Sequence, residues 1–387
     1  MRGRWGIRAV LAIIALVVAI GVLEARAHAS PLPVAEVTAA TPLSGGGGWL
    51  VWSAPVPGGY ALMGYHDGTV RKLPPPTRPQ PFDAEVGSAA GGTAVVTYSR
   101  CARVPRMRGV GEQAGAGGAL LEPQTGRGCR VRVLDLETGT ERSPPIPVAR
   151  GASDTTPSMW KGTVTFARHD PRHGDVWQVL SWSPAHPRRL RSLPHGSIPS
   201  CPELPRGCTR PAHATVTALS SDGGVVAFMW MLPPGEQGII GEGAWELRVD
   251  RADGSASAIA AWGFGHEECT AGVGNGHELE YVWPEPPIAA GGSALLPELY
   301  AFSCSTGFAS VLESHGPAPG RGRLGKLETV SLALARDEGR LYGLVPSVPR
   351  AVEGDSPRCA AAAPCWIEQV RAPALKLESR APSVPFQ

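Results

Sequence analysis

Ser220-Ser221-Asp222-Gly223-Gly224-Val225-Val226-Ala227-Phe228-Met229-Trp230 reads as the end of a polar strand, a two-glycine turn and a strongly apolar strand. A glycine pair supplies the positive φ that a tight hairpin needs, and the β-branched and aromatic run after it suits a buried strand. The pattern recurs with Gly47-Gly48 before WLVW, Gly91-Gly92 before TAVVTY and Lys161-Gly162 before TVTF, then with Gly291-Gly292 before SALL and Glu338-Gly339 before RLYGLV. These turns stand on average about 58 residues apart, the spacing of a repeat architecture.

A second series of turns alternates with the first. It comprises Asp67-Gly68 between YALMGY and TVRKL, Thr138-Gly139 between RVRVLDL and TERSP, and Pro184 between VWQVLSW and RRLRSL. Asp253-Gly254 between WELRVD and SASAIA, Thr306-Gly307 between LYAFS and FASVL, and Ala372-Pro373 between WIEQV and LKLES complete it. With 49 Gly and 39 Pro in 387 residues, sustained helices are disfavoured throughout. The expectation is an all-β chain: a six-bladed β-propeller over residues 30–387, with strands A to D in each blade and the segment Ser30 to Val37 closing the ring. Tandem β-sandwich domains are the alternative. The fragments LDLETG at 134–139 and SSDGGVVAF at 220–228 resemble repeats of the TolB-like and WD40-like propeller superfamily, although no W-D dipeptide of WD40 repeats occurs. That resemblance implies the propeller fold.

Residues 1–29 differ in composition from the rest. Arg2, Arg4 and Arg8 precede an uncharged run from Ala9 to Leu23, and Ala25, Ala27 and Ala29 follow as alternating small residues. This is the three-part pattern of a secretory signal peptide, with cleavage after Ala29 or Ala27 and a retained anchor as the competitor. The apolar run is shorter than the roughly 20 residues that a membrane-spanning helix needs. Without Arg2, Arg4, Arg8, Arg26 and Glu24 the formal net charge falls from +2 to −1. Such a chain carries no overall basic footprint for nucleic acid or an anionic membrane. Secretion, or residence in the periplasm or cell envelope, is the expected localisation.

The eight cysteines, Cys101, Cys129, Cys201, Cys208, Cys269, Cys304, Cys359 and Cys365, all follow the leader. An even number in an exported chain reads as disulfides, and the absence of any CxxC argues against a zinc cluster. Sequential pairing gives Cys101 with Cys129, Cys201 with Cys208, Cys269 with Cys304 and Cys359 with Cys365. In a propeller the A–B and C–D turns share one face, and the B–C and D–A connections share the other. The first kind is short here, whereas the second holds the insertions at 102–129, 168–175, 194–213, 231–243, 263–279 and 346–364. Three of the four pairs staple that second face. The pair Cys269 with Cys304 sits awkwardly, because Thr306-Gly307 is read as a C–D turn.

Chemistry-bearing residues also gather in these insertions. His169, Asp170 and His173, with Asp175, offer imidazole and carboxylate ligands for a divalent metal such as calcium or zinc. The acidic segment around His266, Glu267, Glu268, His277, Glu278 and Glu280 offers another set. Trp262 and Trp283 flank the 263–279 loop and are candidates for stacking on a sugar or peptide. No GxSxG or HExxH motif is present. The expected function is therefore display of a stapled loop face that binds a protein, peptide or glycan partner. The alternative is a hydrolase or lyase acting on glycans or lactones through channel carboxylates, for which Asp83, Asp154 and Glu285 are placed near inner strands.

Overall fold

The computed structural model describes residues 33–39, 41–104, 126–173, 176–193, 215–232, 242–255, 257–266, 281–284, 288–290, 293–302, 306–314, 322–326, 331, 333–347, 359–371 and 376–378. The chain divides into a short unit, Met1–Pro33, and a unit Val34–Gln387 that holds every described strand. Strand β1 (Ala35–Val37) comes first and belongs, as shown below, to the last sheet.

Four regular blades follow in chain order. The first contains β2 (Leu43–Gly46), β3 (Trp49–Val56), β4 (Gly59–His66) and β5 (Thr69–Lys72); the second contains β6 (Glu85–Ser88), β7 (Ala94–Arg100), β8 (Arg130–Asp135) and β9 (Glu141–Arg142). The third is built from β10 (Ser153–Trp160), β11 (Thr163–Asp170), β12 (Val176–Trp182) and β13 (Leu190–Ser192), and the fourth from β14 (Thr215–Asp222), β15 (Val225–Leu232), β16 (Glu242–Arg251) and β17 (Ser257–His266). Each is an antiparallel meander in sequence order.

The next sheet departs from the expected pattern. Its inner edge is split into β18 (Tyr281–Pro284) and β19 (Ile288–Ala290), both paired with β20 (Ser293–Phe302); β21 (Thr306–Ser314) and β22 (Gly322–Lys326) follow. Pro284, Pro286 and Pro287 remove three backbone donors from this stretch, so one continuous inner strand cannot pair along its length. The fifth four-stranded blade comprises β23 (Leu334–Asp337), β24 (Arg340–Pro346), β25 (Cys365–Val370) and, on its outer edge, β1. The final strand, β26 (Lys376–Glu378), pairs with β22 and widens the irregular sheet to six strands. The expectation of six equivalent blades is thus corrected: there are five four-stranded blades and one irregular sheet.

Two register assignments change with it. Strand β20 runs through Pro297, so SALL and LYAFS are one strand and Thr306-Gly307 follows the second strand of its sheet rather than the third. LKLES does not complete the last blade, because β1 occupies that edge. The closing role expected of the segment Ser30 to Val37 is filled by Ala35, Glu36 and Val37, which pair with Ile367, Trp366 and Cys365.

Apolar layers between successive sheets hold the propeller arrangement together, and they exclude two separate sandwiches. Leu43 and Trp52 of the first blade pack with Leu344 and Ile367 of the last. Trp49 and Val51 pack with Val86 and Tyr98 of the second blade, and Val133 of the second meets Met159 and Phe166 of the third. Ala167 and Val179 of the third meet Val216 and Phe228 of the fourth. Each Val, Leu, Ile, Phe or Met side chain fully buried in these layers contributes roughly 1.5–3 kcal/mol. Trp52, Trp182 and Trp230 are buried in these layers.

The A–B turns meet from blade to blade on one face. Gly162 N donates to Ser88 O at 3.0 Å, Gly48 N donates to Asp337 Oδ1 at 2.8 Å, and His66 Nδ1 lies 2.9 Å from Gly48 O. Lys161 and Glu338 take positive φ, at 47° and 46°, where the sequence has X-Gly rather than Gly-Gly. That face is closed by short turns, which leaves the opposite face to carry the insertions.

Candidate binding face and axial carboxylate

The B–C connection of the second blade leaves β7 at Arg100 and returns at Arg130. Cys101 and Cys129 are disulfide-bonded at its base, across a sequence separation of 28. Beyond the disulfide, Arg103 N donates to Arg127 O at 3.2 Å and Arg127 N to Arg103 O at 2.9 Å, extending the stem by one antiparallel pair. Gly126 packs directly on the bridge: a Cβ there would lie 2.2 Å from Cys101 Sγ. Ser153 Oγ accepts from Gly128 N at 3.0 Å and donates to Gly126 O at 3.2 Å, fastening the stem to the third blade.

The last blade also carries a disulfide on its B–C connection. Cys359 is disulfide-bonded to Cys365, the first residue of β25, and Ala360 bridges Ala363 within the enclosed turn. Ser347 N donates to Pro364 O at 3.0 Å. Both bonds therefore lie on B–C connections of the same face, the first closing its connection at the base and the second closing only the last turn before β25. Among the described residues no cysteine is free. Cys201, Cys208, Cys269 and Cys304 lie outside them.

Behind this face the D–A segment before β6 is pinned by Arg78 and Asp83. Arg78 donates to Ser99 O at 2.7 Å, to Gln80 O at 3.1 Å and to Pro81 O, and pairs with Asp83 at 3.3 Å. Asp83 Oδ1 accepts from Ser99 N at 3.0 Å and its Oδ2 from Thr156 N at 2.9 Å. Thr156 sits in a bulge of β10 with a φ of 44°, which a β-branched residue adopts at a cost of about 1–3 kcal/mol. Asp154 is buried against Arg168, with Nε and Nη2 at 2.6 and 3.0 Å. Asp83 and Asp154 are thus committed to joining strands and blades, and Glu285 lies outside the described residues.

The carboxylate that the sequence reading missed is Glu85, at the start of β6. Its Oε1 accepts from Ser220 Oγ of the fourth blade at 2.5 Å, and the hydroxyl of Ser44, from the first blade, also bonds the carboxyl. Next to it, Ser158 Oγ and Ser221 Oγ lie 2.8 Å apart and join the third and fourth blades. Inner strands of three blades therefore converge on one acid. Burial pushes the Glu85 carboxyl up to about 7; Asp222 adds to the rise and the two serine hydroxyls oppose it. Such a group holds or releases a proton near neutral pH. Only its position on an inner strand, within DAEVGS, marked it in the sequence.

The remaining predicted residues are less gathered. His169 stacks on Trp177, with ring centroids 4.9 Å apart, and Asp170 Oδ1 accepts from Arg172 N at 3.1 Å, capping the short 3-10 turn Pro171–His173. The side chain of His173 lies outside the described residues. No group of three or more metal-ligating side chains occurs among the described residues. Trp262 falls on β17 and Trp283 on β18, with side chains outside the description; Glu267, Glu268, His277, Glu278 and Glu280 lie outside it altogether. No helix among the described residues is long and apolar enough to cross a membrane.

No protein-family model and no curated protein sequence matches the chain. Solved structures similar to it include a nidogen/laminin complex at 11% identity, covering 77% of this chain and 86% of that one, with a TM-score of 0.40. A puromycin-hydrolyzing peptidase of Mycobacterium tuberculosis shares 14% identity over 92% of this chain and 56% of its own, at a TM-score of 0.38. The tricorn protease shares 12% over 84% and 28%, also at 0.38. This chain thus spans little more than half of the first peptidase and under a third of the second. Nothing about activity passes across at these identities and scores.

Proposed function

We propose that the protein is an exported, non-enzymatic propeller that presents its disulfide-stapled loop face to a protein, peptide or glycan partner of the cell envelope. The observation that carries this reading is the shared placement of the Cys101–Cys129 and Cys359–Cys365 bonds on B–C connections. Ordering an insertion costs conformational entropy, and a disulfide at its base lowers that cost. Bracing of this kind suits a surface that must keep its shape for recognition. The leader-like residues 1–29 and the disulfides agree with export to an oxidising compartment. The TolB-like and WD40-like character of LDLETG and SSDGGVVAF agrees with a scaffold of this class.

A second reading, a hydrolase or lyase acting on glycans or lactones, rests on Glu85, whose carboxyl near pH 7 has the proton affinity of a general acid. Such enzymes need a second carboxylate roughly 5–10 Å away; Asp83 and Asp154 are already engaged, which favours the binding role.

The test is a photo-crosslinker placed at exposed Ala102 or Ala361 on the loop face, or at Gly68 or Thr138 on the short-turn face, exposed to envelope extract and to soluble glycans. Adducts that form only from Ala102 or Ala361 support the binding face. Adducts from both faces alike, or from the short-turn face alone, overturn it.

A further inference from the structure

Four exposed arginines cluster on the loop face where the second and third blades meet. Arg103 and Arg127 are directly opposed in the antiparallel pair beyond the Cys101–Cys129 disulfide. Like charges so placed repel, and the arrangement weakens the very stem that the disulfide stabilises. Arg150 stands in the D–A connection that leads into β10, and Arg172 in the B–C turn of the third blade. The four belong to one strip. Ser153 Oγ grips the backbone on both sides of Arg127, at Gly126 and Gly128, and Arg130 Nη1 donates to Ala152 O at 2.8 Å. Arg172 lies over Gly151, where a Cβ would stand 3.2 Å from Nε.

Among the described residues no carboxylate pairs with any of these four guanidinium groups. Asp170, the nearest acid in sequence, accepts from the backbone of Arg172. The stretches 101–129, 143–152 and 168–175 together carry seven arginines against four carboxylates, in a chain whose net charge is only +2. Arg168, among the seven, is already bound by Asp154. Val148, two residues before Arg150, is 61% exposed, the more exposed of the two large apolar side chains that stand out among the described residues.

We propose that Arg103, Arg127, Arg150 and Arg172, with Val148, form a docking strip for an acidic polypeptide segment. The inference rests on the loop face being the binding face and specifies its partner. Arginine forks match carboxylates in bidentate geometry, and an acidic segment would relieve the Arg103–Arg127 repulsion. An exposed valine beside the cations fits a side chain of a peptide better than a purely hydrophilic polyanion. Attraction of this kind weakens as salt shortens the screening length.

The experiment uses the purified chain and a fluorescein-labelled Glu-Glu-Val repeat peptide, with its Gln-for-Glu counterpart as the neutral control, read by anisotropy. Expected are saturable binding of the acidic peptide, a Kd raised about tenfold by Arg103→Gln with Arg127→Gln, and a similar rise with Arg150→Gln and Arg172→Gln. Arg188→Gln with Arg189→Gln, in the C–D turn of the third blade, should leave the Kd unchanged. Equal binding of the neutral peptide, absence of saturation, or the same loss in the Arg188 and Arg189 variant overturns the strip. So does dextran sulfate binding more tightly than the peptide through the same four arginines, which would assign them to a polyanionic glycan. The two readings fail separately: face-selective crosslinking at Ala102 or Ala361 in a chain that ignores the acidic peptide sinks the strip alone.

Discussion

Ser220 Oγ lies 2.5 Å from Glu85 Oε1, although the two residues are 135 positions apart and belong to the fourth and second blades. Neighbouring blades are joined by apolar layers, but these two are not neighbours. Their contact exists because inner strands approach a common axis, where polar side chains from several blades can meet. Ser44 reaches the same carboxyl from the first blade and also accepts from Val86 N at 2.9 Å. The axis is therefore held by hydrogen bonds to an acid whose charged form is disfavoured there.

That acid makes stability depend on pH in a definite direction. In the unfolded chain Glu85 ionises near its ordinary value of 4.5, and in the folded chain near 7. Below pH 4.5 it is protonated in both states and costs nothing. Between 4.5 and 7 the folded state holds the extra proton, so stability falls as pH rises, by roughly 3 kcal/mol in total, and is level above 7. Glu85→Gln removes this titration while keeping an acceptor for Ser220. Urea midpoints measured at pH 5 and pH 8 should therefore show the variant gaining on the native chain as pH rises. Parallel pH dependence in the two proteins would remove Glu85 from the axis as a titrating group.

Two glycines of one hairpin should respond in opposite ways to alanine. Gly87 of β6 faces the backbone of the third blade, and a Cβ there would stand 1.9 Å from Met159 O. Backbone cannot yield as a flexible side chain does, so Gly87→Ala should destabilise the chain by about 3 kcal/mol through separation of the second and third blades. Gly91, in the turn after β6, has nothing within 4 Å of its would-be Cβ and no positive φ. Gly91→Ala should stabilise by about 0.5 kcal/mol, by restricting the unfolded chain. Thermal unfolding of both variants tests the pair, and equal shifts would contradict the close approach of β6 to β10.

The turns were the legible part of the fold. Gly47, Gly48, Gly162, Gly223, Gly224 and Gly339 all occupy the positive φ that glycine announces, and Lys161 and Glu338 share it in the two X-Gly turns; β1 closes the last blade from the N-terminal side. Proline misled the reading where it stands inside or beside a strand. The sequence reads SALL and LYAFS as separate strands with Pro297 between them, yet β20 passes through Pro297 opposite Val311. Pro284, Pro286 and Pro287 mark a break in the inner edge, but nothing in the sequence says that both pieces share β20. The site was less legible than the turns, because pairing on an axis follows from ring geometry and not from any periodicity along the chain. Asp83 and Asp154 stood out as acids near inner strands, but backbone donors and Arg168 engage them, whereas Glu85 shows its importance only once the blades are assembled.

The two described disulfides should differ in what they contribute. A cross-link acts mainly by restricting the unfolded chain, and the restriction grows with the length of the closed loop. Cys101–Cys129 spans 28 positions and Cys359–Cys365 spans 6. Replacing the first pair by serine should therefore cost about 3.5 kcal/mol and replacing the second about 2 kcal/mol, read from urea unfolding of each double variant. The first replacement should also have a local effect, because Arg103 and Arg127 repel each other across a stem that the disulfide holds closed. Hydrogen exchange at the Arg103 and Arg127 amides should accelerate more than exchange at Val133, deep in β8. Raising the salt concentration should partly restore protection at the two arginine amides by screening their repulsion. Protection that does not change with salt would show that charge plays no part in opening the stem.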